Sequence, residues 1–95
     1  MARPTKLSDD RVQSELKSLA GWTLTEGKLH RSFKFADFIA AWGFMSKVAL
    51  LAQSMDHHPE WSNVYNTVSV ALSTHDAGGI TKLDFELARK INSNA

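Results

Sequence analysis

Residues 37–55 carry two apolar stripes on a single helix, and that doubling limits how the rest of the chain can pack. Phe38, Trp42, Met45, Ala49 and Ala52 recur at steps of four and three, and Ala41, Phe44, Val48, Leu51 and Met55 do the same on a neighbouring face. Such steps mark an α-helix. Asp37 can cap its start, and Pro59 lies just beyond its end. A surface helix of a small domain needs one apolar stripe, about 100° wide. One stripe can cover a sheet, and the other then needs a partner. A chain of 95 residues has few elements to supply it. The pattern therefore predicts self-association through helix 37–55. The competing arrangement sandwiches this helix between a sheet and the first helix.

The flanking segments read as a helix and two hairpins, then a last helix. Ser8 is a good cap, Asp9 and Asp10 suit the positive end of a helix dipole, and Leu7 and Val12 have the spacing of a hydrophobic staple. A helix over 9–20 is expected, stopped by Gly21. Trp22–Thr25 and Leu29–Phe35 alternate with a period near two across Glu26-Gly27-Lys28, as a hairpin does. Trp61–Tyr65 and Thr67–Thr74 form a second hairpin, turning near Asn66. Val68, Val70 and Leu72 face a core there, and the alternating Thr67, Ser69, Ala71 and Ser73 do not. Thr81-Lys82-Leu83-Asp84 resembles a capping box opening a helix that runs to about Ile91. The order α-β-β-α-β-β-α predicts an α+β fold: a four-stranded antiparallel sheet with three helices on one face, in one domain over residues 1–95.

Composition narrows the function classes. A net charge of +1 gives no electrostatic case for binding nucleic acid or an anionic membrane. Zero cysteines exclude disulfides, thiolate metal sites and cysteine nucleophiles, and fit a reducing compartment. The first ten residues lack an apolar signal core, and Gly43, Ser46, Lys47, Gln53 and Ser54 interrupt the longest apolar stretch, so a cytoplasmic protein without a membrane span is expected.

The chemistry-bearing residues are histidines. His30 lies mid-strand among basic neighbours and reads as a solvated strand residue. His57 and His58 fall between a helix end and a strand start, and His75 closes the next strand. In a hairpin the start of one strand neighbours the end of the other, so the three imidazoles can converge, and Asp84 can join them. Three histidines and an aspartate could ligate zinc. Adjacent histidines on regular backbone point apart, however, and the i, i+4 helical pair is missing, which leaves metal binding the weaker reading. No serine sits in a nucleophile elbow, and Gly78-Gly79 alone is a turn. General acid–base work suits the set better, because imidazole both donates and accepts protons near neutrality. Asp84 could orient an imidazole, cap a helix, or do both.

The stretch MDHHPEWSNVYNTVSVALSTHDAGGITKLDFELA, Met55 to Ala88, resembles the pterin-4a-carbinolamine dehydratase family. His57-His58-Pro59, an aromatic at Trp61, Tyr65, His75 in Ser-Thr-His and Asp84 nine residues later carry the resemblance, together with Gly21-Trp22 and the long helix. The resemblance implies dehydration of 4a-hydroxytetrahydropterin, the product left by aromatic amino-acid hydroxylases, to quinonoid dihydropterin, with no metal and no cofactor. It implies His57 and His75 as base and acid, His58 binding the pterin and its hydroxyl, and Asp84 orienting the cluster. It also suggests ring contacts from Ser73, Thr74 and His75, and a pocket wall from Trp61, whose other reading is core packing. Family members assemble as dimers paired into tetramers through the long helix. Animal members also serve as dimerisation cofactors of a homeodomain transcription factor, and relatives without the histidines act as assembly factors, so a non-catalytic binding module is the alternative. Where the family often carries an acidic residue, four positions before the first histidine of the pair, this chain has Gln53.

Overall fold

The computed structural model describes residues 4–95; residues 1–3, part of a tail expected over residues 1–7, lie outside them. The elements run α1 (Asp9–Leu16), β1 (Thr23–Thr25), β2 (Lys28–Lys34), α2 (Phe38–Met55), β3 (Glu60–Val64), β4 (Thr67–Leu72) and α3 (Lys82–Ser93), with a 3-10 turn, His75–Ala77, between β4 and α3. The strands form one antiparallel sheet in the order β1-β2-β4-β3, the expected α+β arrangement.

Register separates the two faces of the sheet. Leu29 pairs with Leu72, Arg31 with Val70 and Phe33 with Val68, while Trp61 and Asn63 pair with Val70 and Val68 from the other side. Paired residues share a face, so this row is the inner one. Ala41, Phe44, Val48 and Ala52 of α2 and Phe85, Leu87, Ala88 and Ile91 of α3 are buried with it. Phe44 lies between Phe33 and Phe35, ring centroids 4.8 and 4.9 Å away. Truncating so central a ring costs about 3–5 kcal/mol. The outer face carries His30, Ser32, Ser62, Ser69 and Ala71, small and polar as the alternation requires.

Two boundaries, at the first helix and near the site, differ from the sequence reading, and α2 ends at Met55 as expected but by another device. Helix α1 ends at Leu16, not Ala20: the Leu19 amide donates to Leu16 and the Ser18 amide to Glu15, tightening the last turn before Gly21 reverses the chain at φ +85°. A Cβ on Gly21 would displace the Arg31 guanidinium, 2.6 Å away at the end of a flexible side chain, and the positive φ is what favours glycine there. Strand β4 stops at Leu72, and His75 belongs to the 3-10 turn beyond it. Helix α2 ends before Pro59 can act: Asp56 takes the left-handed conformation, φ 49°, and its amide and that of His57 close on Gln53 and Ala52 carbonyls.

The stripes of α2 also divide differently. The core takes Ala41, Phe44 and Val48 as grouped, but Ala52 joins them, and Met45, Leu51 and Met55 pack at the margin. The uncovered face is Phe38 and Trp42 with Ile39 and Leu50, which neither stripe included; their exposures are 46, 57, 81 and 74%. By length and composition alone α2 could cross a membrane, yet its inner face is part of the core.

Candidate active site

One end of the sheet brings together the loop after α2 and the loop after β4. The left-handed Asp56 turns the chain so that consecutive imidazoles diverge. His57 points inward and is 5% exposed. His58 points outward, its Nε2 3.0 Å from Gln53 Oε1 one turn back on α2. On the other loop, Thr74 and Gly79 form an antiparallel bridge, with the Thr74 amide donating to Gly79 at 2.8 Å. That bridge closes the short loop that presents His75.

A cavity of about 200 Å³ opens between the two loops, lined by Asp56, His57, His58, Ser73, Thr74, His75 and Asp76. It falls below the ~300–1,000 Å³ of drug-sized sites and suits a small ring. The three expected histidines therefore do share a cavity, and Ser73 and Thr74 line it too. Trp61 does not: it packs partly buried against the core and borders a separate depression over β2, β4 and β3. The readings that differ are thus the pocket wall from Trp61 and the placement of His75 on a strand.

Asp84 does not line the cavity but stands behind His57. It is wholly buried, and its Oδ1 lies 2.6 Å from His57 Nε2. Its Oδ2 accepts from the Thr81 amide and from the Thr74 hydroxyl, both at 2.9 Å. The first of these is half of a complete capping box on α3. Helix cap and histidine partner, the two roles open to Asp84, fall to the two oxygens of one carboxylate. Among the described residues no buried side-chain nitrogen or oxygen lacks a partner.

Two groups at the site were not placed there by sequence reasoning. Thr81, read only as a cap, is buried with its hydroxyl 2.7 Å from that of Thr74. The box pattern already implied contact between Thr81 and Asp84, so it could have been found. Gln53, noted only as standing where the family often carries an acidic residue, holds His58.

This arrangement has donors, acceptors and a dry carboxylate behind one imidazole, which is what proton transfer without a metal requires. Comparison with known proteins identifies the family. The sequence profile described as pterin 4 alpha carbinolamine dehydratase matches residues 5–94. A protein of Solibacter usitatus named pterin-4-alpha-carbinolamine dehydratase is 57% identical over 91 residues, covering 96% of each chain. One of the same name from Prochlorococcus marinus is 52% identical, covering 92% of this chain and 91% of its own. The crystal structure of a transcriptional coactivator/pterin dehydratase from Brucella melitensis superposes with a TM-score of 0.92 at 46% identity, over 96% of this chain and 99% of that one. Profile, relatives and fold agree along nearly the whole length, and the chain belongs to the pterin 4 alpha carbinolamine dehydratase family.

Proposed function

We propose that the protein is a hydro-lyase that dehydrates 4a-hydroxytetrahydropterin to quinonoid dihydropterin, in the recycling of a tetrahydropterin used by an aromatic amino-acid hydroxylase. The observation that supports this best is the convergence of His57, His58 and His75 on one small cavity with Asp84 buried behind His57.

The chemistry needs one acid and one base. An imidazolium protonates the hydroxyl on carbon 4a, the carbon–oxygen bond breaks and water leaves. The electron pair comes from ring nitrogen 5, which forms the new double bond to carbon 4a and gives up its proton to the base. Protons balance, because one is delivered and one is taken. We assign His57 as the base, since the buried carboxylate at its far nitrogen supports a charge gained in the reaction. His75, exposed at the cavity rim, is the acid and can be reprotonated from solvent. His58 binds the pterin and its hydroxyl, and the Ser73–His75 segment supplies polar contacts to the ring. Each positioned group contributes about 10²- to 10⁴-fold. No step calls for a metal or a cofactor, and the cysteine-free composition is suited to the cytoplasm.

We further propose that copies of the chain associate through the uncovered face of α2, where Phe38, Ile39, Trp42 and Leu50 are 46–81% exposed. The same face favours a second reading, an oligomerising module that serves another protein, as the coactivator function in the Brucella protein's name suggests. The deciding experiment is stopped-flow measurement of 4a-hydroxytetrahydropterin breakdown with wild type and the His57, His58 and His75 alanine variants. Acceleration that depends on the histidines establishes the dehydratase; breakdown at the uncatalysed rate leaves only the module.

A further inference from the structure

Behind His57 lies a chain of hydroxyls whose proton directions follow from counting. The oxygens of a carboxylate only accept, so at 2.9 Å from Asp84 Oδ2 the Thr74 hydroxyl donates. A hydroxyl has one hydrogen. In the 2.7 Å contact between Thr74 and Thr81, the donor is therefore Thr81. Thr81 Oγ1 is free to do this because it accepts, at 3.2 Å, from the Leu83 amide at the start of α3. The Thr81 amide adds a second donor to Asp84 Oδ2 at 2.9 Å. With that oxygen held by two donors, Asp84 Oδ1 is aimed at His57 Nε2, 2.6 Å away. Facing an acceptor, Nε2 must carry the hydrogen, and the lone pair of neutral His57 is on Nδ1.

We infer that Thr74 and Thr81 are positioning residues which, acting through Asp84, hold His57 in the Nε2–H tautomer and leave Nδ1 as the basic nitrogen for the cavity. The physical need is specific. A neutral imidazole has two tautomers, and a ring flip exchanges which atoms face the carboxylate. A carboxylate anchored by one donor alone could rotate and lose its aim. The relay fixes it from two elements, the loop after β4 and the first turn of α3. Thr74, Thr81, Asp84 and His57 are 2, 0, 0 and 5% exposed, so water has little access to replace a lost hydroxyl. Orienting partners of this kind are commonly worth about 10- to 100-fold in function.

Thr74→Val tests this, because valine keeps the shape and removes the hydroxyl, while α3 keeps its cap. Nitrogen-15 spectra of the imidazoles identify the tautomer in the resting protein. Wild type should show a protonated Nε2 and an unprotonated Nδ1 for neutral His57. In Thr74→Val the two resonances should move toward averaged values, kcat should fall about 10-fold or more, and KM should change less than about 2-fold. Thr74→Ser should restore both readouts. Thr81→Val should resemble Thr74→Val but also lose helix content, so Thr74 decides. A protonated Nδ1 in wild type overturns the inference. So does a Thr74→Val protein that loses kcat with an unchanged tautomer, or one in which serine rescues nothing. The kinetic arm rests on the dehydratase reading. Should wild type lack that activity, that reading fails, and the nitrogen spectra still decide the positioning role.

Discussion

Asp84 and His57 meet at 2.6 Å across 27 positions of sequence, and the carboxylate that holds the imidazole also closes the capping box of α3. Fold and chemistry are joined at one side chain. Asp84→Asn should lower both stability and rate. A lost charged cap and a weakened buried pair amount to about 1–3 kcal/mol, read as a fall in midpoint on denaturant unfolding. The rate should fall by at least 10²-fold, because an amide can present the wrong group to Nε2. Loss of stability with full activity would dissociate the two roles.

His57 and His75 should separate under mutation. His75→Ala removes an exposed group from a surface turn and should cut kcat about 10²- to 10⁴-fold with an unchanged melting temperature. His57→Ala should cut the rate similarly but also destabilise by about 1–3 kcal/mol, because it leaves Oδ1 of the buried Asp84 without its donor. Calorimetry beside stopped-flow kinetics checks both. Equal melting temperatures for the two variants would contradict the structure's burial of His57.

Gln53 offers His58 an amide oxygen at 3.0 Å where a carboxylate would be charged. In Gln53→Glu a charged acceptor replaces the amide beside His58, and because His58 is assigned to binding, KM for the pterin should change more than kcat. A KM identical to wild type would show that the Gln53 contact does not bear on substrate binding.

The outward face of α2 should govern assembly. Ile39→Lys or Trp42→Lys places a charge on the uncovered stripe and should reduce the mass measured by light scattering without loss of helix signal. A polar change at Phe44 should instead unfold the protein, since that ring is core. An unchanged mass for both lysine variants would argue against association through this face.

Glu15 supplies a pH dependence outside the site. The hydrogen bond from Arg89 at 2.6 Å, chiefly, holds the Glu15 carboxyl below its usual range, against a smaller opposing effect of desolvation. A folded-state value below the unfolded one stabilises above the unfolded value, and the gain is lost as pH falls through the folded one. Glu15→Gln should therefore melt slightly below wild type at pH 7 and together with it near pH 2. The difference should be small, because the pair lies at the surface. A gap that persists in acid would assign it to packing.

Local chemistry was largely legible in the sequence. Ser8, Asp37 and Thr81 cap the helices they were read to cap, and Glu26-Gly27 turns the first hairpin. These features depend on neighbours within four residues, so periodicity and cap chemistry suffice. Misreadings fell where a local choice is nearly balanced. Leu19 closes on Leu16 and ends α1 early, and Asp56 takes a left-handed turn at a modest cost that glycine would have avoided.

By itself, the sequence determined the elements, the inner and outer faces of the central strands and the histidine set, because each is written in spacing along the chain. Only the tertiary structure decided which apolar side of α2 stays uncovered, that Trp61 belongs to the core, and that one buried carboxylate serves both a helix end and an imidazole. Those outcomes depend on contacts between residues far apart in sequence, where direction and burial are set by how the sheet and helices meet.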